Sequence, residues 1–157
     1  MNILTTQIIA EAKTWLGTSF HHQGRVKKTG LHNGGCDCIG LILGIAKSLN
    51  LKSNFDKSKL LIEFDKVNYK RIVIGNDLKN IMSMHFIEID LDHAEICDIV
   101  LFNINKNLQH IGMIIEKNQS AIYVIHSYIQ AKQVVMHNLD EEWINKIDSV
   151  YRFADLV

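Results

Sequence analysis

The apolar pattern of this chain changes part-way along its length, and that change restricts the fold more than any other feature. Apolar side chains first recur at helical spacing, over residues 5–16 and again over residues 38–49. After Cys97 the apolar stretches become short, as in strands, and polar turns separate them. Helices that precede a run of antiparallel strands predict an α+β domain.

The individual elements are predicted to be short. Predicted strands cover residues 99–102, 110–115, 121–126, 134–136 and 150–153, and a helical turn is predicted over residues 141–147. Between the two halves the pattern is weak and predicts only short helices near residues 56–64 and 76–86. Gly40 and Gly44 lie together on one side of the second long helix. Because glycine lowers helix propensity, we expect another part of the chain to pack closely there.

The length and composition fit one globular domain. The chain has 157 residues, which we assign to a single domain over residues 1–157, and 47% of them are hydrophobic. Seventeen basic residues balance seventeen acidic ones, so no excess charge points to nucleic acid or to an acidic membrane as a partner. The first residues lack a basic segment, and no apolar run is long enough to cross a bilayer. We therefore expect no signal peptide and no membrane span.

The cysteine content argues against a disulfide framework. The three cysteines are Cys36, Cys38 and Cys97, and an odd number leaves at least one thiol free. Cys36 and Cys38 flank a single residue, a spacing that is awkward for a mutual disulfide. A reduced, cytosolic setting is the simpler interpretation.

The segment over residues 34–42, Gly-Gly-Cys-Asp-Cys-Ile-Gly-Leu-Ile, carries the strongest functional signal. Asp37 can cap a helix that starts at Cys38, which places the Cys38 thiol in the first helical turn. Free N–H groups and the positive end of the helix dipole stabilise a thiolate there, and the same N–H groups can hold an oxyanion. The segment alone is equally compatible with Cys38 as a small buried apolar residue.

Two histidines lie on the predicted hairpin. If its turn is symmetric, His110 faces His126 and Gly112 faces Val124, with facing Cβ atoms about 5 Å apart. A register slip of two residues keeps both imidazoles on one face, whereas a slip of one separates them. The pair suits a base and a group that orients it, with His110 taking the thiol proton and His126 fixing its tautomer. Gly112 would leave room for the helix that carries the thiol.

Three segments together resemble the motifs of the NlpC peptidases, which are papain-like enzymes that cut the peptide stems of bacterial peptidoglycan. The segments are Asp-Cys-Ile-Gly-Leu at 37–41, His-Ile-Gly-Met at 110–113 and Ile-His-Ser at 125–127. Further stretches, at 12–18, 22–25, 35–38 and 151–153, look like the subgroup encoded in phage tail modules and gene-transfer clusters. The resemblance covers residues 8–49 and 95–154.

This resemblance implies a papain-like fold, in which N-terminal helices carry the nucleophile at a helix N-terminus and pack on an antiparallel sheet. It implies Cys38 as the nucleophile, His110 as the base and His126 as the third residue, with no metal or other cofactor. It also implies peptidoglycan stem peptides as substrates, cut between γ-D-glutamate and a diamino acid, and phage-tail assembly proteins as further partners. The location would be cytoplasmic or associated with a phage particle.

Three residues near the nucleophile are candidate substrate-binding residues: Phe20, Arg25 and Asp37. Phe20 stands where the family often has a tyrosine that lines the site, so it has no hydroxyl to donate. Arg25 lies in a glycine-rich loop over residues 18–35, which we expect to border the cleft and which could meet a substrate carboxylate. A solvated basic loop explains the same residues equally well. Cys97 is a second departure, because the family usually has glycine there.

Two other functions fit the same sequence. One is a non-catalytic member of the family that binds wall fragments as a tail or assembly component. The other is a zinc site, since zinc takes Cys and His ligands and this chain has His21, His22, His32, Cys36 and Cys38 within eighteen residues. Their spacing fits no standard zinc knuckle, so zinc ranks last. The remaining histidines, His85, His93 and His137, are predicted to be surface or loop residues.

Overall fold

The structure, a computed structural model, describes residues 2–69 and 76–157. It has the predicted α+β architecture, with helices ahead of an antiparallel sheet. The helices are α1 (Ile3–Thr14), α2 (Cys38–Ser48), α3 (Asp77–His85) and α4 (Glu141–Ile144). The strands are β1 (Arg25–Val26), β2 (Gly35–Cys36), β3 (Ile87–Ile89), β4 (Ile99–Ile104), β5 (Asn107–Lys117), β6 (Ile122–Tyr128), β7 (Gln133–Asn138) and β8 (Ile147–Arg152). Single 3-10 turns occur at Leu61–Phe64, Leu91–His93 and Ala154–Leu156.

The main sheet is buried on both of its faces. It has six antiparallel strands in the order β3-β8-β4-β5-β6-β7, and β1 and β2 form a separate pair. Along β4, Ile99 and Leu101 face the core that includes α1 and α2, whereas Val100 and Phe102 face a smaller apolar cluster on the other side. This alternation places the helices on one face and leaves the second face to be covered by the chain around α4.

Helix α2 is fixed at its start by a cap and along one side by close packing. The Asp37 side chain accepts a hydrogen bond from the Gly40 N–H at 2.8 Å, as predicted for an N-cap. A Cβ at Gly40 would lie 2.0 Å from the Gly24 carbonyl oxygen, and a Cβ at Gly44 would lie 2.2 Å from the Trp15 ring. The prediction that something packs closely against the two glycines is therefore confirmed.

Most predicted elements are present, with small differences in length. The helix predicted near residues 76–86 is α3, but the one predicted near residues 56–64 is only the 3-10 turn Leu61–Phe64. The sequence does not predict β3, because three residues are too few to show an alternating pattern. Within the two described ranges, no helix has both the length and the apolar character that crossing a bilayer requires.

The hairpin of β5 and β6 differs from its predicted register by two residues. Val124 pairs with Ile114 instead of Gly112, so the predicted pairing is wrong. The turn is not symmetric about Asn118: Lys117 pairs with Ile122, an offset of three residues, and an irregularity after Ile114 reduces the offset to two. A slip of two residues keeps each side chain on its original face, which is why His110 and His126 still share one.

Cys97 adopts a backbone conformation that suits glycine. Its φ is 74°, in the left-handed region, and the residue is fully buried. This is the position at which the NlpC resemblance leads us to expect glycine. The reason is visible in the structure, since glycine adopts this φ without the strain that a Cβ brings.

Candidate active site

Cys38 is the first residue of α2 and lies in the wall of a pocket. Asp37 holds it there by capping the helix, and the pocket has a volume of about 160 Å³. Cys38 is 8% exposed, whereas Cys36 and Cys97 have no exposed surface. His110 lines the same pocket. Cys38 is therefore the cysteine with the best access to a ligand in this pocket.

Burial opposes ionisation of the Cys38 thiol. It raises the pKa of Cys38 to about 12, and the negative charge of Asp37 acts in the same direction. Backbone N–H groups of Ile111, Ile39 and Cys38 itself act in the opposite direction but do not outweigh burial. The prediction of a thiolate stabilised by the helix start is therefore incomplete, because the resting group in this structure is a neutral thiol.

His110 on β5 and His126 on β6 are in direct contact. His110 Nε2 lies 2.7 Å from His126 Nδ1, so both imidazoles are on one face of the sheet. His110 is 8% exposed and His126 is fully buried. Because this bond uses Nε2 of His110, Nδ1 is the nitrogen that remains for a thiol. Cys38 and His110 share the pocket without a direct hydrogen bond within the described part of the chain, as is common before a substrate closes a site.

A third histidine, His137, extends this pair; it was predicted to be a surface or loop residue and is half-buried on strand β7. His137 on β7 has its Nε2 2.9 Å from His126 Nε2 and its Nδ1 2.8 Å from the Asn138 carbonyl oxygen. Strand β7 pairs with β6 so that Val124 faces His137 and Val135 faces His126. The two histidines are therefore diagonal neighbours across the strands. A strand predicted to continue two residues further would have revealed this contact.

Burial also keeps the first two histidines neutral. It lowers the pKa of His110 to about 4, and the neighbouring His137 lowers it further. It lowers the pKa of His126 to about 2, with His110 and His137 acting in the same direction. At neutral pH each ring therefore carries one hydrogen, and each has one nitrogen that accepts a hydrogen bond.

Aromatic rings enclose the histidines. Phe102 stacks on His110 with ring centroids 5.8 Å apart, and Tyr128 stacks on His126 at 5.0 Å. Trp143 of α4 stands edge-on to His126 at 5.3 Å. These rings limit the access of water, and the imidazole nitrogens other than Nδ1 of His110 find their hydrogen-bond partners within the chain.

The thiol side of the pocket is held by charges, in a group that we call the Asp37 cluster: Arg25, Asp37, Asp65 and Tyr69. Asp37 accepts hydrogen bonds from Arg25 Nη1 at 3.2 Å and from the Tyr69 hydroxyl. Two further bonds, of 2.9 and 3.0 Å, join Arg25 to Asp65. Burial opposes the charge on Arg25, but Asp65 and Asp37 outweigh it and raise the pKa of Arg25. Burial and the bond to Asp37 raise the pKa of Tyr69, so its hydroxyl keeps its proton.

Of the predicted substrate-binding residues, Phe20 and Asp37 line the pocket and Arg25 does not. The predicted loop over residues 18–35 thus borders the cleft. Both oxygens of Asp37 already accept hydrogen bonds from the chain, and Arg25 is paired with two carboxylates. A substrate contact by any of the three stays a prediction. Tyr69 also lines the pocket and supplies a hydroxyl that Phe20 lacks, but no periodic pattern surrounds it, so sequence reasoning missed it.

Gly112 makes room for a histidine and not, as predicted, for helix α2. A Cβ there would lie 3.3 Å from His126 Cβ and 3.5 Å from the Phe102 ring. Both contacts belong to the sheet face that carries the histidines. A small residue is needed at this position because the side chain of His126 passes directly beside it.

The geometry does not favour the zinc alternative. Over residues 2–69 and 76–157, no group of three or more His, Cys, Asp or Glu side chains is arranged to hold a metal ion. His21 Nδ1 lies 2.9 Å from the His22 carbonyl oxygen, and His32 Nδ1 accepts the Gly34 N–H at 3.1 Å. Each ring is thus engaged by nearby backbone, and Cys36 is fully buried.

Several solved structures are similar to this one. NlpC2 and NlpC1 from Trichomonas vaginalis each align over 95% of this chain at 15% identity, with TM-scores of 0.61 and 0.60. The chain has an NlpC-like papain fold. An N-acetylmuramoyl-L-alanine amidase from Bacteroides uniformis aligns over 94% of this chain and 96% of its own, with a TM-score of 0.53 at 12% identity.

The NlpC-like fold confirms the fold predicted from the sequence. The chain spans less than half of the two Trichomonas proteins, 46% and 44% of their lengths. No family model matches the sequence, and no curated protein matches it. Membership of the phage-tail subgroup therefore stays a prediction.

Proposed function

We propose that this chain is a thiol-dependent hydrolase that cuts the peptide stems of peptidoglycan. The observation that carries the proposal is that Cys38 and His110, from separate parts of the sequence, line one pocket while His126 contacts His110. Cys38 is the first residue of α2, and His126 Nδ1 lies 2.7 Å from His110 Nε2. A nucleophile, a base and a group that orients the base are what acyl transfer from an amide requires.

The reaction would run in two halves. His110 takes the thiol proton as Cys38 Sγ attacks the amide carbonyl, and backbone N–H groups at the start of α2 stabilise the oxyanion. His110 then gives the proton to the leaving amine, which departs and leaves a thioester on Cys38. A water molecule, deprotonated by His110, hydrolyses the thioester and restores the thiol.

The resting protonation state determines when the proton moves. The pKa of Cys38 is raised to about 12 and that of His110 is lowered to about 4, so both groups are neutral before substrate binds. Proton transfer then accompanies the attack and does not precede it. This resembles a serine nucleophile with its base more than a preformed thiolate–imidazolium pair.

The substrate class is proposed from the resemblance and from the chemistry of the pocket. The NlpC motifs imply cleavage between γ-D-glutamate and a diamino acid such as meso-diaminopimelate. Gln109 lines the pocket, and its Oε1 is buried without a partner in the described part of the chain. A peptide N–H of the stem would satisfy that oxygen. Phage-tail assembly proteins, and a particle that brings the chain to the wall, belong to the same proposal and rest on the sequence resemblance.

Digestion of purified peptidoglycan and of defined stem peptides, followed by mass spectrometry, tests the proposal. We expect new free amino groups on the diamino acid, and none with Cys38→Ala. Iodoacetamide should modify Cys38 before Cys36 or Cys97, because only Cys38 has exposed surface. A reactive Cys38 with no cleavage of any stem would overturn the wall-peptidase claim. Full activity of Cys38→Ala, or reversible loss with a chelator, would overturn the cysteine hydrolase itself.

A non-catalytic wall-binding protein is the second candidate, and one observation favours it. The Cys38 thiol is buried deeply enough that its pKa is raised to about 12, which is unusual for a nucleophile. Such a protein would sediment with insoluble peptidoglycan and leave stem peptides intact. Binding that is equal in the unsubstituted protein and in Cys38→Ala, with no released amino groups from either, would select this function.

A further inference from the structure

Three histidines and one backbone carbonyl form a continuous chain of hydrogen bonds. His110 Nε2 lies 2.7 Å from His126 Nδ1, and His126 Nε2 lies 2.9 Å from His137 Nε2. His137 Nδ1 lies 2.8 Å from the carbonyl oxygen of Asn138. We call this series the histidine chain. The family resemblance covers its first two members, and no function proposed above uses the third.

The carbonyl at the end of the chain decides where every hydrogen lies. A carbonyl oxygen only accepts, so Nδ1 of His137 carries a hydrogen and its Nε2 accepts. His126 must then donate from Nε2, which leaves its Nδ1 as an acceptor. His110 in turn donates from Nε2, and its Nδ1 is left with a lone pair and no hydrogen.

We propose that His137, held by the carbonyl of Asn138, is a positioning residue that orients the protons of the histidine chain and thereby leaves Nδ1 of His110 free to accept the thiol proton. This inference deepens the proposed function and rests on His110 being the base. It adds a fourth position to the three that the NlpC resemblance implies.

Without His137, the direction of the hydrogen bond between His110 and His126 is not fixed. Two neutral imidazoles joined by one hydrogen bond can place the shared hydrogen on either nitrogen. In the reversed arrangement His126 donates from Nδ1, His110 accepts at Nε2, and the hydrogen of His110 lies on Nδ1. That tautomer cannot take a proton from Cys38, so half of the pair's arrangements are unproductive.

Among the groups around His137, the Asn138 carbonyl is the one that fixes which nitrogen of its ring carries hydrogen. Within the described ranges, the three imidazoles hydrogen-bond only to one another and to Asn138. Trp143 packs on His137 with ring centroids 5.2 Å apart, and Lys146 Nζ lies 5.1 Å from the centroid of the Trp143 ring and is paired with Glu142. An indole ring offers no acceptor to Nε2 of His126, and a lysine ammonium, which only donates, offers none either.

Nuclear magnetic resonance can determine the tautomers without any turnover. The protein carries 15N-labelled histidine and Cys38→Ala, so that no thiol shares a proton with His110, and long-range 15N–1H correlations identify the protonated nitrogen of each ring. We expect hydrogen on Nε2 of His110, on Nε2 of His126 and on Nδ1 of His137. Hydrogen on Nδ1 of His110, or on Nε2 of His137, would overturn the proposal.

Substitution of His137 then tests whether the tautomers of His110 and His126 depend on it. In His137→Phe we expect the signals of His110 to shift toward a mixture of tautomers, and in the thiol-containing protein kcat should fall about 10-fold with KM unchanged. His137→Gln should recover most of the rate, because its amide oxygen accepts from Nε2 of His126. His93→Phe, which changes a histidine with a side chain that is 78% exposed, is the matched control.

The outcomes separate this inference from the proposed function. The expected tautomers with no cleavage of stem peptides would support the histidine chain and overturn the wall-peptidase claim. Normal cleavage by His137→Phe, with the tautomers of His110 unchanged, would overturn the role of His137 and leave the hydrolase standing. If His137→Phe does not fold, the tautomers of the Cys38→Ala protein and the rate of His137→Gln still decide.

Discussion

The two sides of the pocket are held by different chemistry. On the thiol side, Asp37 accepts hydrogen bonds from Arg25 and Tyr69, and Arg25 is itself paired with Asp65. On the base side, the histidine chain is joined by hydrogen bonds between imidazoles and ends at a backbone carbonyl. Charged groups hold the start of α2 in position, whereas the histidine chain determines which imidazole nitrogens carry hydrogen.

The difference follows from what each side has to do. A cysteine needs only to be placed, and a buried ion pair fixes position well once both partners are satisfied. A base must keep a chosen nitrogen unprotonated, and a carboxylate beside it would raise its pKa. Burial among Phe102, Tyr128 and Trp143 instead keeps the imidazoles neutral. We expect the two sides to fail in different ways when they are altered.

Removal of the base should have the largest effect. His110→Ala should lower kcat by about 100- to 10,000-fold, because no other group takes the thiol proton. His126→Gln should lower it much less, since a neutral amide oxygen still accepts from Nε2 of His110. Release of amino groups from stem peptides measures both. Equal and total loss in a folded His126→Gln protein would contradict the division of roles between the two rings.

Removal of the central charge should mainly reduce stability. Asp37→Ala leaves Arg25 without one partner and helix α2 without its cap, which should lower the free energy of unfolding by roughly 3 kcal/mol. Urea denaturation measures the change. Asp37→Asn keeps the cap and loses the charge, so its cost should be intermediate. If Asp37→Ala unfolds at the same urea concentration as the unsubstituted protein, the charged cluster does not hold the helix.

The buried histidines His110 and His126 should make the stability of the protein decrease in acid. The pKa of His110 falls from an ordinary 6.5 to about 4 in the folded chain, and that of His126 falls to about 2. Between pH 6.5 and about 4 the unfolded chain binds protons at these positions and the folded chain does not, so stability decreases as the pH falls. Denaturation at pH 7 and pH 5 measures this. The double variant His110→Gln, His126→Gln should lose less stability over that interval, and an equal loss would contradict the assignment.

A methyl group on the histidine side should have the smallest effect. In Gly112→Ala the new Cβ would lie 3.3 Å from His126 Cβ, which forces a shift of a few tenths of an ångström. We expect the free energy of unfolding to fall by about 1 kcal/mol. Gly30→Ala is the control, because a Cβ there meets no atom within 4 Å. The same result for both variants would show that the histidines are not tightly packed.

The thiol side could be predicted from the sequence, because its signals are local. The cap at Asp37 and the packing glycines Gly40 and Gly44 all lie within one helix, where spacing alone determines direction. Arg25 could be noticed as a basic residue, but its partner Asp65 lies 40 residues away and its pairing could not be foreseen.

The base side could be predicted only in part, because it depends on strand register. His110 and His126 share a face under any slip of two residues, so this part of the prediction is correct. The asymmetric turn and the irregularity after Ile114 are not visible in the sequence, and together they move the partner of Val124 by two positions. The contact of His137 with His126 could not be predicted for a related reason: it requires β7 to extend to Asn138, whereas the predicted strand ends at residue 136.

The narrow contacts of helix α2 also bear on how such a sequence can diverge. Alanine at Gly40 would meet the Gly24 carbonyl oxygen at 2.0 Å, and alanine at Gly44 would meet the Trp15 ring at 2.2 Å. Both positions are closed to any side chain, whereas the buried positions beside them can exchange one apolar residue for another of similar size. We therefore expect relatives to keep two glycines four residues apart just after the cysteine, which an alignment of homologues would check. Such a spacing can identify distant relatives where identity has fallen to 15%, the level of the similar Trichomonas structures.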